Sequence, residues 1–271
     1  NQTSSGLDRD YITQWSYGID ETWTLLVPNT KGGASVSIAS DPTAMKKADA
    51  EVSDFFQNTF NMNIYGSFSE YWGTQPMTAG PVYVGAFVLM LFILGLFIVK
   101  GPMKWALLAV TILSILLSWG RNFMPFTDFF LDYVPMYAKF RTVASILVIA
   151  EFTIPLLAML ALKKIVDEPE ILKTQKKWFY LSFGLTGGLA LLFAILPDVF
   201  FDFNSIHDAD AINGLNAQLT NVLGNYPDML ANYQQNIYPR ILPSLAAMHK
   251  AVFTADCIRS FVIIAIGTAL L

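Results

Sequence analysis

The sequence predicts an all-α, polytopic integral membrane protein with four full transmembrane helices plus the start of a fifth, and with helical outer segments. Three observations predict it. Of 271 residues, 54% are hydrophobic and 14% charged, against about 45–50% and about 25% in a soluble domain. The apolar residues gather into runs: positions 81–99 carry no charge, and at about 1.5 Å per helical residue that run nearly crosses a hydrocarbon core of about 30 Å. Basic residues cluster as well, with seven of the 17 Lys and Arg in the loops 100–104 and 163–177, the bias that holds short loops in the cytoplasm.

In chain order, residues 1–80 form an outer segment. Asp41 is a good N-cap and Pro42 suits a first helical position, so a helix is expected where Ala44, Ala48, Val52, Phe55, Phe56 and Phe60 recur at helical spacing. The first span is 81–99. A tight loop, Lys100 to Lys104, leads to a second at 105–119, and an outer loop, 120–141, leads to a third at 142–162, interrupted by Glu151. Three transmembrane helices thus lie within 81–162. Loop 163–177 is cytoplasmic, with Lys163, Lys164, Lys173, Lys176 and Lys177, and the fourth span, 178–197, ends at Pro197. Residues 198–256 are a second outer helical segment, expected to break at Pro227, Pro239 and Pro243, and 257–271 begin a fifth span. Asn1 at the start and the short final apolar run predict an internal fragment of a longer chain.

The composition also excludes. A net charge of −4 and the lack of a basic, aromatic-rich run argue against nucleic acid as a partner. One cysteine, Cys257, permits neither an intrachain disulfide nor a zinc cluster, and reads as a small buried residue. No P-loop, GxGxxG, GxSxG or HExxH motif is present. Gly184 and Gly188 form a GxxxG pair, expected to pack closely against another helix.

Four places carry candidate chemistry. Glu151 is a carboxylate within a span, where it needs a partner helix or a watery cavity. Arg121, Lys139 and Arg141 bracket the aromatic-rich outer loop, an interfacial or re-entrant element; they suit a lipid phosphate or pyrophosphate, or simply pair with Asp128 and Asp132. Asp20 and Glu21 are adjacent carboxylates that can take a proton or hold a divalent cation, or merely cap a helix. Asp256 and Arg259 fit a helix-surface ion pair, and His207 beside Asp208 and Asp210 lacks a third metal ligand, so no metal site is assigned.

Three stretches carry a resemblance: YGIDETWTLLVPNTKGGAS, YWGTQPMTAGPVYVGAFVLMLFILGLFIVKGPMKWALL, and LLSWGRNFMPFTDFFLDYVPMYAKFRTVASILVIAEFTIPLLAMLALKK. Together with ADCIRS near the end, they resemble bacterial membrane proteins of the YfhO family, Bacteroidetes type. Members resemble the GT-C class of polytopic glycosyltransferases. The resemblance implies transfer of a sugar from a polyprenyl-phosphate carrier to a cell-envelope polymer acceptor, at the outer face of the bacterial inner membrane. It also implies a catalytic carboxylate in the first outer loop, ahead of this chain, and a donor-phosphate site that falls on Arg141 and Lys139, with Arg121 nearby. A transporter or flippase for lipid-linked sugars, and a non-catalytic envelope assembly protein, are the alternatives.

Overall fold

The computed structural model describes residues 8–139 and 142–271. Among them helices are the only regular elements, and β pairing is limited to two isolated bridges, Thr30 with Gly32 and Ser37 with Ser69. Three helical stretches are long and apolar enough to cross a membrane, Val143–Asp167, Lys176–Ile195 and Pro227–Leu270; a fourth exists if the bent pair Met103–Ser118 and Gly120–Tyr133 is one span.

The expected helix after Asp41 forms in two pieces, each capped by an aspartate. Asp41 accepts from the N–H groups of Thr43 and Ala44 at 2.6 and 3.0 Å over the single turn Pro42–Met45. Asp49 accepts from Val52 N–H at 3.1 Å and starts α1, Ala50–Phe60, which Asn61 closes in the left-handed conformation. A second N-cap in mid-run divides the pattern, because the side chain competes for the amides that a continuous helix would use.

The first apolar run is helical only over α2, Ala86–Ile98, 13 residues. Residues 81–85 have no regular structure, and Gly85, at φ 98°, lies in a conformation closed to ordinary helix. Helix α3, Met103–Ser118, follows, and α4, Met124–Tyr133, lies at 107° to it. The bend needs Gly120: its φ is +46°, and a Cβ there would stand 2.1 Å from Ser16 Oγ and 2.6 Å from Val143 Cγ2. Helix α5, Val148–Asp167, runs through Pro155, and packs with α2 and α3. Helix α6, Lys176–Ile195, contains a π-helical turn at Gly184–Gly188. Gly184 and Gly188 have nothing within 4 Å of an added Cβ, so the expected close packing does not occur at this pair. It is Gly187 that meets Ile264, while Gly95 lies against Leu157 and Ala161.

Helix α7, Ile206–Val222, and the short helix Pro227–Asn232 lead through a π turn into α8, Tyr238–Leu270, 33 residues long. Pro239 falls in its first turn, where no amide is missed, and Pro243 lies inside without ending it. The end of the second outer segment, from Tyr238, and the final apolar run are therefore one element. Its first half buries Ile241, Leu245, Met248 and Val252 in an outer core with Val52, Phe56, Tyr65, Ile212 and Leu219. Its second half puts Phe253, Cys257 and Ile264 into a second core with residues of α2, α5 and α6.

Gly120→Ala is expected to lower stability by about 1–3 kcal/mol through left-handed strain and the clash with Ser16. Thermal unfolding in lipid nanodiscs measures this, and an unchanged midpoint would mean that the bend tolerates a side chain.

Candidate functional site

The first outer segment folds back over the ends of the apolar helices. Arg121 N–H donates to Ser16 Oγ at 2.8 Å, Asn122 Nδ2 to Tyr17 O at 2.8 Å, Trp119 Nε1 to Thr22 Oγ1 at 2.9 Å, and Ser260 Oγ to Leu26 O at 3.0 Å. These bonds hold the short 3-10 helix Asp20–Leu25, which separates the adjacent carboxylates.

Asp20 points outward and pairs with Lys31 at 2.8 Å. Glu21 turns inward and is 2% exposed. Its Oε1 accepts from Tyr71 Oη at 3.0 Å, Thr74 N–H at 3.0 Å and Thr74 Oγ1 at 3.4 Å, whereas Oε2 has only Gln75 Nε2, at 3.5 Å. Burial pushes the Glu21 carboxyl above the usual carboxylate range, against the lowering effect of those donors. Burial likewise raises Tyr17 and Tyr71 far above the usual phenol range, so both remain neutral donors. One carboxylate is thus a solvated ion-pair partner and the other a desolvated group with one open oxygen. Their divergence leaves no shared cation site, and among the described residues no group of three His, Cys, Asp or Glu is arranged for a metal ion.

Gly32 closes the same site from the other side. At φ +81°, a Cβ would stand 2.0 Å from the Glu70 carbonyl, so only glycine lets the 29–33 turn approach the 70–72 backbone, where Trp72 N–H donates to Lys31 O at 2.9 Å. Lys31 Nζ also reaches the Asp202 carbonyl at 3.1 Å and ties in the second outer segment.

The outer-loop cations are placed differently from the pairing that the sequence allowed. Asp128 and Asp132 both bind Arg9. Arg121 uses Nε on the Thr13 carbonyl at 2.9 Å and is exposed, as is Lys139. Among the described residues neither has a carboxylate partner. Arg141 lies outside the described residues. Helix α4 beside them exposes Phe129 by 54% and Tyr133 by 74%.

Glu151 lies two residues before Thr153, whose hydroxyl bonds Thr111 at 2.6 Å midway along α3, which puts the carboxylate at mid-bundle depth. It is exposed, on a stripe with Val148, Phe152 and Met159, and makes no hydrogen bond or ion pair among the described residues. Asp256 and Arg259 do pair, at 2.8 Å; Asp256 is 1% exposed and faces the Asn29 backbone, while Arg259 stays at the surface.

The fold also gathers partners around His249. Buried completely, it stacks on Trp72 with ring centroids 4.4 Å apart, places Nδ1 3.0 Å from the Phe203 carbonyl, and lies 3.8 Å from Asp208 Oδ2. Burial raises Asp208 to about 7. Three distant segments meet there, and no local pattern in the sequence announces it.

Family models, characterised proteins and solved structures were compared with this chain, and none matches.

Asp208 binds its proton more tightly in the fold than in the unfolded chain. Its contribution is therefore full at acid pH and falls as pH rises from about 4 to about 7. Asp208→Asn is expected to flatten stability across that window and to raise it by about 4 kcal/mol at pH 8. Unfolding midpoints from pH 4 to 8 check this; parallel curves for both proteins would contradict it.

Proposed function

We propose that this chain is part of a YfhO-like membrane glycosyltransferase that moves a sugar from a polyprenyl-phosphate carrier to a cell-envelope acceptor. It would work at the outer face of the bacterial inner membrane. In this reading four spans and the start of a fifth cross the membrane, loops 100–104 and 163–177 face the cytoplasm, and 1–80, 120–141 and 198–256 face outward. The observation that carries it is the pair of exposed cations, Arg121 and Lys139, left without carboxylates because Arg9 occupies both Asp128 and Asp132. Fixed positive charge beside an exposed aromatic helix suits a lipid-borne phosphate: the guanidinium donates in a fork to phosphate oxygens, the ammonium adds a point charge, and the aromatic face meets acyl or isoprenoid chains. Arg141 would join them, as the resemblance implies.

Glu21 is this chain's best-suited proton acceptor. Its Oε1 is occupied by three donors and Oε2 is nearly free, and a desolvated carboxylate is a stronger base than a solvated one. The slot beside it holds about 10 Å³, room for a single hydroxyl or water. An acceptor hydroxyl would reach into the slot, and the sugar ring would stay outside. Asp20 would hold Lys31 in place and take no proton.

A second reading, a flippase for lipid-linked sugars, is favoured by Glu151, a carboxylate exposed at mid-bundle depth. Transfer of labelled sugar from polyprenyl-phosphate donors, measured in membranes, separates the two. The transferase reading predicts that Glu21→Gln, which retains the Tyr71 and Thr74 bonds, keeps its unfolding midpoint but loses about 10²–10⁴-fold in transfer. It predicts that Arg121→Ala weakens use of the carrier about tenfold. Transfer that survives both changes, or lipid-linked sugar crossing vesicles without transfer and stopping in Glu151→Gln, would overturn it.

A further inference from the structure

A cleft of about 280 Å³, distinct from the slot beside Glu21 although Tyr71 lines both, opens between the two outer segments. Ser35, Ser37, Ser67, Ser69 and Tyr71 line it from the first segment and His207 from the second. Its walls are held by backbone pairing: Ile38 N–H donates to Phe68 O at 3.0 Å, and Glu70 N–H to Val36 O at 2.8 Å, around the bridge between Ser37 and Ser69. The cleft is therefore preformed, and its hydroxyls do not have to be ordered by a ligand.

Three of the serines are set from behind. Ser35 Oγ accepts Thr78 N–H at 2.9 Å, Ser37 Oγ accepts Ala39 N–H at 3.3 Å, and Ser69 Oγ accepts Tyr71 N–H at 3.0 Å. Each oxygen is fixed as an acceptor, and its own O–H remains to donate. His207 is held at the rim because the next residue, Asp208, is buried against His249. Among the described residues no Asp, Glu, Lys or Arg lines the cleft. That absence of fixed charge disfavours both an anion and a metal ion, and the hydroxyl array favours a neutral ligand rich in hydroxyl groups. Val36, 48% exposed, and Pro76 supply an apolar patch for the C–H face of a ring. The volume lies at the lower edge of small-molecule sites, which run from roughly 300 to 1,000 Å³.

We infer that this cleft is a carbohydrate subsite that holds one neutral sugar unit through the hydroxyls of Ser35, Ser37, Ser67 and Ser69, with His207 at its edge. The inference deepens the transferase reading by giving a place to a sugar of the acceptor polymer. Binding is measured without transfer, so failure of either claim is visible on its own.

The test is saturation-transfer NMR on the full chain in lipid nanodiscs, with the methyl glycosides of glucose, galactose, mannose and N-acetylglucosamine as probes and inorganic phosphate as competitor. The expected result is transfer to the ring protons of at least one glycoside, weakened roughly tenfold by Ser67→Phe, which fills the cleft from an exposed position, and several-fold by His207→Ala. Phosphate is expected not to displace it. No transfer to any glycoside from folded protein, transfer unchanged in both variants, or displacement by phosphate would overturn the inference.

Discussion

Helix α8 belongs to both hydrophobic cores, and the arrangement of the outer segments depends on that double membership. At about 1.5 Å per residue, its 33 residues extend about 50 Å, long enough to cross an apolar layer and still project beyond it. Polar side chains along the projecting part and its junction hold the first outer segment. Ser244 Oγ bonds Tyr65 Oη at 2.7 Å and receives Asp49 N–H at 2.9 Å; His249 Nε2 lies 3.4 Å from the Ser69 carbonyl; Asp256 faces the Asn29 backbone; Ser260 donates to Leu26 O. His249, Asp256 and Ser260 follow one another at seven and four residues, the spacing of one helical face. Buried polar groups stabilise only when satisfied, so each of these bonds fixes both a side chain and the backbone turn that it meets.

The site inherits its geometry from this clamp. With the 26–33 turn held by Asp256 and Ser260, and the 70–72 backbone close enough to demand glycine at position 32, Glu21 is forced inward while Asp20 remains at the surface. Two neighbouring carboxyls thereby acquire opposite environments, the condition under which one can hold a proton that the other releases. Further along the surface, Arg9 takes up the acidic residues of α4 and leaves the cations of the same loop open. The buried carboxyl of Glu21 and the exposed cations Arg121 and Lys139 are both set by contacts remote in sequence.

The all-helical class and the long apolar runs were legible in the sequence, because each is written in local composition and period. Element bounds were less so. Asp49 divides a helix that its apolar spacing joins, and Gly85 keeps the start of the first apolar run out of the helix. Pro243 is tolerated where a break was expected, because the outer core holds the helix on both sides of it. Of the candidate site, Asp20 and Glu21 were identifiable as a pair, but their division of roles comes from Tyr71, Thr74 and Lys31, which local pattern does not connect to them. The meeting of His249 with Trp72 and Asp208, and the serine cleft, join residues more than 130 positions apart and have no periodic signature.

Through these contacts α8 and the first outer segment form a single cooperative unit. Hydrogen exchange read by mass spectrometry on the intact chain in nanodiscs tests it most directly, comparing the wild type with Ser260→Ala. The account predicts that peptides covering 22–33 and 65–75 and the outward half of α8 exchange together in the wild type, and that the variant speeds all three. Faster exchange confined to 22–33, with α8 and 65–75 unchanged, would contradict it.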